Sequence, residues 1–352
     1  MKWLLSTLVA LLIATAPAHA QRTSVTSNVD MYVSPASSCT PGYWYDPGGN
    51  ITIANCGNDA TADGTISLPF ATCQGAVDWL YSKFDFVGRY APTIHMGVAA
   101  SPGQFFYPNC GLSGRLLGQP GTSPPLVVGP GLPIFKFGNY NPFLLLGDPT
   151  YPLGAFLVSG DFGYPADRPA LSLTDGAALK VQGLAFDTGA SQQDCIDAQG
   201  VGTLLDVANL LFGACGKPTT VSPSYTNYNL GIGIAFSSHL YIDGDLAISS
   251  GDMGAFIQLG QGSSMFPNDN GTTPKFNIAF GGGTFQAGVL VIGGASSAFL
   301  NGLTFSGSYS GPGVVVVENS TIENGTGAGP NTCPATMILG HAKIVQDNSS
   351  CR

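Results

Sequence analysis

Four residues that lie far apart in the chain have side chains that could together bind a sugar. Lys180, Asp206, Tyr241 and Asp243 combine a cation, two carboxylates and an aromatic ring. Aromatic rings pack against apolar sugar faces, and a few charged or polar groups hydrogen-bond the hydroxyls. These residues could form a sugar-binding strip if the fold aligns them. The alternative is that Lys180 and Asp206 are a surface ion pair that contributes little to stability.

Catalysis on a polysaccharide would need acids at a defined separation, because glycosidases use two carboxylates. Aspartates occur in two groups: Asp187, Asp194 and Asp197, and then Asp243, Asp245 and Asp252 close to His239. Aspartate is also a common turn residue, so both groups have a structural alternative. The sequence shows no nucleophile elbow and no phosphate loop. We therefore predict no catalytic residue, no metal site and no cofactor.

An apolar pattern indicates how the fold positions these residues. Residues 280–285, 300–305 and 317–322 carry apolar side chains on a two-residue period, which shifts by one at a central Gly or Asn. A strand alternates its faces at every residue, so the shift requires a bend through a left-handed residue. The repeat every 17 to 20 residues predicts a coil of stacked turns, which is a right-handed parallel β-helix.

The shared pattern also predicts which residues stack on one another. The equivalent corners, expected in one row along the coil, are Gly183, Asn209, Gly244, Gly282, Gly302 and Asn319. Aligned corners place Lys180, Asp206 and Tyr241 in one outward column, about 4.8 Å apart. The neighbouring columns are Gln182, Ala208 and Asp243, and, elsewhere, Thr284, Thr304 and Thr321. Protruding loops are predicted at residues 216–229 and 265–274.

The composition argues against a nucleic-acid partner and against a helical protein. Charged residues make up 9% of the chain, the formal net charge is −9 and the pI is about 4.6. Phosphate binding needs clustered Lys and Arg. The scarcity of Lys, Glu and Arg together with 49 Gly disfavours helices.

The N-terminus predicts export. Lys2 precedes an apolar run over residues 3–14, and Ala18-His19-Ala20 forms a small-x-small cleavage site. The run is too short for a membrane span, and no other stretch qualifies as one. We expect a mature chain from Gln21 that is secreted to the periplasm or the extracellular space.

The eight cysteines predict disulfides, since an even count in an exported chain favours pairing. No Cys-x-x-Cys motif suggests a metal site. The pairs expected from proximity in the chain are Cys39–Cys56, Cys73–Cys110, Cys195–Cys215 and Cys333–Cys351.

The chain divides into five predicted segments. They are a signal peptide (1–20), an extended lead-in (21–57), a capping helix with the first strands (58–100), a β-helix with long loops (101–329) and a C-terminal cap (330–352). The helix follows from one apolar face formed by Cys73, Ala76, Val77, Leu80, Tyr81 and Phe84. Thr72 is its predicted N-cap. Such a helix would cover strand edges at the end of the coil.

One stretch resembles a known group of proteins. The run from Asp63, D-G-T-x-x-x-P-F-A-T-x-x-x-A-V-D, and the later Thr93-Ile94-His95-Met96 resemble the opening of right-handed β-helix proteins with the pectin-lyase-like superfold. Phage tail spikes and exported proteobacterial β-helix proteins are the most similar kinds. Phe212-Gly213-Ala214-Cys215 and residues 304–308 resemble the same group. The resemblance covers residues 58–325 and implies a fold, whereas function must be argued from a site.

The catalytic motifs of that superfold do not occur in this sequence. It lacks Asp-Asp, Gly-His-Gly and Arg-x-Lys, and Asn-x-Asp occurs only at Asn28. Arg168 directly precedes Pro169, unlike the Arg-x-Pro of pectate lyases. We therefore predict a surface-interaction protein that binds a polysaccharide or cell-surface glycan without catalysis. The alternatives are a lyase or glycoside hydrolase with non-standard residues, and a structural subunit of a tail-spike-like appendage, for which the resemblance implies a homotrimer.

Overall fold

The fold consists mainly of short strands that stack in parallel sheets. The computed structural model describes residues 23–24, 27–85, 92–113, 143–158, 169–188, 194–215, 230–249, 252–267, 276–300, 303–324, 336–338 and 340–347. The predicted signal peptide, the loop at 216–229, Gly302, Cys333 and Cys351 lie outside these residues.

Sheets I and II are parallel throughout. Sheet I contains β7 (Phe105–Tyr107), β10 (Ala155–Val158), β13 (Ala185–Asp187), β16 (Leu210–Phe212), β19 (Leu246–Ile248), β22 (Phe276–Phe280) and β25 (Leu303–Gly307). Sheet II contains β8 (Cys110–Ser113), β11 (Leu171–Thr174), β14 (Ile196–Gln199), β17 (Leu230–Ala235), β20 (Met253–Leu259), β23 (Phe285–Ile292), β26 (Val314–Val316) and β28 (Thr336–Ile338).

Sheet III runs the length of the stack and includes the N-terminal strands. It contains β2 (Val29–Val33), β3 (Gly42–Trp44), β4 (Ile51–Thr52), β6 (Pro92–Ala99), β9 (Phe143–Leu146), β12 (Ala178–Gln182), β15 (Leu204–Ala208), β18 (His239–Ile242), β21 (Ser264–Pro267), β24 (Ser297–Phe299), β27 (Thr321–Asn324) and β29 (Lys343–Asp347). Only β3 pairs antiparallel within the described sheets, with β4 and β6. A separate parallel pair joins β1 (Thr23–Ser24) to β5 (Phe84–Asp85).

From β7 to β27, successive strands enter sheets I, II and III in turn, and the next strand returns to sheet I. Parallel neighbours separated by two other strands require a chain that coils, which is compatible with a β-helix solenoid. One turn takes 26 residues from Leu179 to its partner Leu205, and 35 residues from Leu205 to Leu240. The predicted turn of 17 to 20 residues is therefore wrong. The three copies of the apolar pattern lie at three different kinds of corner: between sheets I and II, between sheets III and I, and between sheets II and III.

The prediction of one row of corners is correspondingly wrong. Gly183, Asn209 and Gly244 lie between strands of sheets III and I. Gly282 instead lies between β22 and β23, and Asn319 between β26 and β27. Each kind of corner contains a residue with positive φ, such as Gly183 at 68° and Asn319 at 61°. A Gly or Asn in the sequence therefore indicates a corner but does not show which two sheets the corner joins.

Two other predictions fail for the same reason. The threonine column does not form, because Thr304 is in sheet I, Thr321 is in sheet III and Thr284 lies at a corner. The loop predicted at 265–274 begins too early, because residues 265–267 belong to β21 and Met265 is fully buried.

The interior is a stack of apolar side chains, one layer for each turn. Leu179, Leu205, Leu240 and Met265 occupy the same register and are at most 1% exposed. The ring centroids of Phe186 and Phe212 are 5.6 Å apart. Full burial of such a side chain contributes about 1.5–3 kcal/mol, so this stack is the main source of cohesion between turns.

The helix α1 (Cys73–Lys83) packs against β2, β6 and β8. Its buried face consists of Cys73, Ala76, Val77 and Leu80. At its N-terminus the Thr72 hydroxyl accepts the Gly75 N–H at 2.9 Å, as an N-cap does. A short 3-10 helix covers Pro152–Gly154.

The described cysteines form three disulfides, Cys39–Cys56, Cys73–Cys110 and Cys195–Cys215. These are the pairs that proximity in the chain predicts. They indicate an oxidising, non-cytoplasmic environment. The described part of the chain has no helix with the length and apolarity that a membrane crossing requires.

A buried ladder of hydroxyl side chains supports the corner between sheets II and III. Its members, all at most 1% exposed, are Thr203, Ser238, Ser263, Ser296 and Ser320. The N–H groups of Ser238, Ser263 and Ser296 each donate to the serine hydroxyl of the next turn, at 3.3, 3.2 and 3.2 Å. The Ser263 hydroxyl donates in turn to the Gly260 carbonyl at 2.7 Å. The ladder thus satisfies polar groups that the tight corner would otherwise bury unpaired.

We expect Ser263→Ala to lower the free energy of unfolding by about 2 kcal/mol, because it leaves a buried N–H and a carbonyl without their partner. Urea unfolding measures this change as a lower midpoint with an unchanged slope. The matched control is Ser297→Ala, since Ser297 is half-buried on the outer face. Equal losses in the two variants would contradict a special role for the ladder.

Candidate functional site

The outer face of sheet III carries the column of polar and aromatic residues. Lys180 pairs in register with Asp206, Asp206 with Tyr241, and Tyr241 with Phe266. The register of β21 and β24 then places Phe299 beside Phe266. The first three residues have the alignment predicted from the sequence, whereas Phe266 and Phe299 were not predicted. We call these five residues together with Asp243 the outer strip.

One end of the outer strip is a compact charged cluster. The Lys180 ammonium lies 3.3 Å from Asp206 Oδ2 and forms a hydrogen bond with Asp243 Oδ2. The side chains of Lys180, Asp206 and Asp243 are 23%, 10% and 20% exposed. The surface ion pair considered from the sequence is therefore a partly buried triad with two carboxylates and one cation.

Burial and neighbouring charges change the protonation equilibria of the cluster. Burial raises the pKa of Asp206 to about 6, and the Lys180 charge opposes this shift. Burial disfavours the charged form of Lys180, but its hydrogen bond to Asp243 and the charge of Asp206 outweigh burial and raise its pKa. The cluster therefore holds its lysine charged while one of its acids titrates close to neutral pH.

Asp206 also has an unfilled hydrogen-bonding position. Its Oδ1 is buried and has no hydrogen-bond partner, whereas its Oδ2 faces Lys180. An ionised carboxylate oxygen accepts hydrogen bonds readily, and an unsatisfied buried one is energetically costly. The site thus contains one buried carboxylate oxygen without a hydrogen-bond partner.

The other end of the outer strip is an aromatic ladder. Ring centroids are 5.5 Å apart for Tyr241 and Phe266, and 4.9 Å apart for Phe266 and Phe299. Their planes lie within 30° of one another, and such separations describe offset stacking. All three rings are half-buried. Because offset rings overlap only in part, each leaves apolar surface available to a ligand.

A column of small polar residues lies beside the ladder. His239, Ser264, Ser297 and Thr321 follow one another in register. His239 Nδ1 and Ser264 Oγ are 2.6 Å apart, and burial lowers the pKa of His239. The face therefore presents neutral hydrogen-bonding groups parallel to the rings.

The sequence contains a signal for the ladder that corner alignment overlooks. Ser-x-apolar-aromatic occurs at residues 238–241, 263–266 and 296–299. The serine of each copy belongs to the buried ladder and the aromatic residue to the outer strip. Alignment on this motif would have identified both Phe266 and Phe299.

The second predicted group of aspartates is dispersed among structural roles. Asp243 contacts Lys180. Asp245 accepts the Asn277 N–H at 2.9 Å, and Asp252 accepts the Thr284 N–H at 3.0 Å. These two aspartates therefore accept hydrogen bonds from the backbone of the next turn.

The first group is partly brought together on sheet II. Asp194 accepts the Leu230 N–H at 2.7 Å, and Asp197 lies near enough that both carboxylates border Gly233. Burial, and to a lesser degree the charge of Asp197, raises the pKa of Asp194 to about 7. Burial likewise raises the pKa of Asp197, while the Gln199 amide opposes it. Asp187 lies apart from this pair, in β13 of sheet I.

The described residues contain no group of three or more His, Cys, Asp or Glu arranged to hold a metal ion. No family model, curated protein or solved structure matches the chain. The geometry of the outer strip is therefore the basis for a functional proposal.

Proposed function

We propose that this chain is an exported right-handed parallel β-helix of the pectin-lyase-like kind, which binds a polysaccharide along the outer strip without catalysis. The recurring order of sheets I, II and III and the parallel pairing support the coil. Helix α1 covers apolar side chains beside β2, β6 and β8 as an end cap would. The disulfides support export.

The observation that carries the binding proposal is the continuity of the aromatic ladder with the charged cluster. Tyr241 belongs to both, since it pairs with Asp206 on one side and stacks on Phe266 on the other. Sugars present apolar C–H faces and hydroxyl edges, and sites of this mixed character suit both. A linear glycan laid across the stacked strands would meet a new ring about every 4.8 Å.

Binding without hydrolysis is favoured by the arrangement of the acids. A glycosidase leaves the space between its two carboxylates open for the glycosidic bond. Here the Lys180 ammonium contacts both Asp206 and Asp243. The lysine ammonium bridges the two carboxylates at the place where a sugar would have to enter.

We expect Phe266→Ala to weaken binding to the recognised polysaccharide by about 2- to 12-fold, because an aromatic contact contributes about 0.5–1.5 kcal/mol. A glycan array of bacterial and plant polysaccharides identifies the ligand, and titration calorimetry gives the affinity. The matched control is Phe106→Ala, because Phe106 is 46% exposed and stacks on Phe156 in sheet I. No binding across the array, or equal losses in both variants, would contradict the proposal.

A further inference from the structure

The net charge of the outer strip affects whether it binds a charged or an uncharged polysaccharide. Two carboxylates face one ammonium at its polar end, so the ionised cluster carries a net charge of about −1. The strands of the outer strip beyond Lys180, namely β15, β18, β21 and β24, contain no lysine or arginine.

We propose that the outer strip selects an uncharged polysaccharide, and that Asp206 determines this specificity by accepting a hydrogen bond from a sugar hydroxyl. This inference rests on the proposed function of the same site and names its ligand class.

Exclusion of acidic polysaccharides follows from the way in which Lys180 is held. A uronate carboxylate would need a cation, and the ammonium of Lys180 is already shared by Asp206 and Asp243. Freeing that ammonium would leave two largely buried carboxylates unpaired, which is strongly unfavourable. A uronate would also lie within about 10 Å of both acids, where salt screens repulsion only in part.

Recognition of a hydroxyl follows from the unused acceptor. Asp206 Oδ1 is buried without a partner, and a hydroxyl is both small and a donor. Because Oδ1 is buried in the unbound protein, binding requires a local movement that exposes it. We infer that the Lys180 side chain, which is 23% exposed, moves away from Asp206 while its ammonium remains on Asp243. A hydrogen bond to an ionised acceptor contributes more than one between neutral groups.

Titration calorimetry with two soluble polymers tests this inference: a neutral β-glucan and polygalacturonate. Measurements at about pH 7.5 and about 0.15 M salt keep Asp206 ionised and screening moderate. We expect the neutral polymer to bind at least about tenfold more tightly than polygalacturonate. Tighter binding of polygalacturonate would overturn the inference and leave the proposed function standing. Binding of neither polymer, together with no binding across a glycan array, would contradict the proposed function itself.

Two variants then test Asp206 directly. Asp206→Asn keeps the shape and removes the charge, so we expect weaker binding of the neutral polymer by about 3- to 10-fold and stronger binding of polygalacturonate. Asp206→Leu removes the acceptor and should weaken binding of the neutral polymer by about tenfold or more.

Phe266→Ala is the control, because it should weaken binding without changing the preference between polymers. Urea unfolding of each variant checks the fold, and Asp206→Asn carries the test if Asp206→Leu does not fold. Unchanged affinity and preference in Asp206→Asn would mean that Oδ1 has only an internal role, and would overturn the inference.

Discussion

Gly183→Ala is expected to lower the free energy of unfolding by about 3–5 kcal/mol, because it combines an unfavourable backbone conformation with a backbone clash. Gly183 has a φ of 68°. A Cβ atom there would lie 2.5 Å from the backbone C of Asp148 and the N of Pro149 in the preceding turn. The backbone C of the neighbouring Gly147 would lie 2.8 Å from the same Cβ atom. The Gly147 N–H also donates to the Gln182 carbonyl at 2.8 Å, which holds the two turns together. The two turns approach so closely that neither can move aside alone.

The control for this prediction is Gly262→Ala. Gly262 has a similar φ of 77°, but its Cβ would meet nothing nearer than the Ser237 hydroxyl at 3.4 Å. We expect a loss of only about 1–2 kcal/mol there, from backbone conformation alone. Urea unfolding monitored by circular dichroism gives both values. Similar losses in the two variants would show that the clash at Gly183 relaxes, and would contradict the close approach of the two turns.

The same residue shows why the sequence predicted the class of fold but not its period. Gly183 and Asn209 were recognised as corners because a left-handed residue must interrupt the alternation of a strand there. Corners between the other sheets obey the same rule, as Gly282 and Asn319 do. A local pattern that recurs at all three kinds of corner reports that the chain bends. The pattern does not show which sheet the next strand joins, because that depends on pairing between distant residues. In three strand pairs of sheet III, the paired residues are 24 to 35 positions apart.

The sequence predicted the part of the candidate site that lies next to corners joining the same two sheets. Gly183, Asn209 and Gly244 are the same kind of corner, so the alignment of Lys180, Asp206 and Tyr241 agreed with the register.

Phe266 lay in a predicted loop because proline, asparagine and glycine follow it. Its place was set by the buried Ser263 before it, whose hydrogen bonds fix the preceding corner. The position of Asp243 against Lys180 depends on side-chain reach across a turn, which the one-dimensional pattern does not contain.

A second large effect is expected from acid: the protein should become more stable as the pH falls from about 8 to about 5, and Asp194 should supply about 2–3 kcal/mol of that gain. Burial raises the pKa of Asp194 from its ordinary value to about 7. A raised carboxyl pKa means that the folded state binds the proton more tightly than the unfolded state. The stabilisation is complete below the unfolded pKa of about 4 and is lost as the pH rises through about 7. Asp206 and Asp197 act in the same direction, since burial raises the pKa of each. His239 acts in the opposite direction, since burial lowers its pKa below the unfolded value of about 6.5.

Asp194→Asn isolates this contribution, because the amide retains the oxygen that accepts the Leu230 N–H and does not ionise. We expect the variant to exceed the parent protein in stability at about pH 8 by up to about 2 kcal/mol, and to lose most of that advantage near pH 5. The charged group that faces Asp194 is Asp197, so the substitution also relieves a repulsion at high pH. Asp245→Asn is the control, since Asp245 is exposed and accepts a backbone N–H in the same way. Urea unfolding of the three proteins across this pH range provides the comparison. A parent protein whose stability rises with pH, or a variant whose pH dependence matches the parent, would contradict the burial of a protonated carboxyl between β14 and β17.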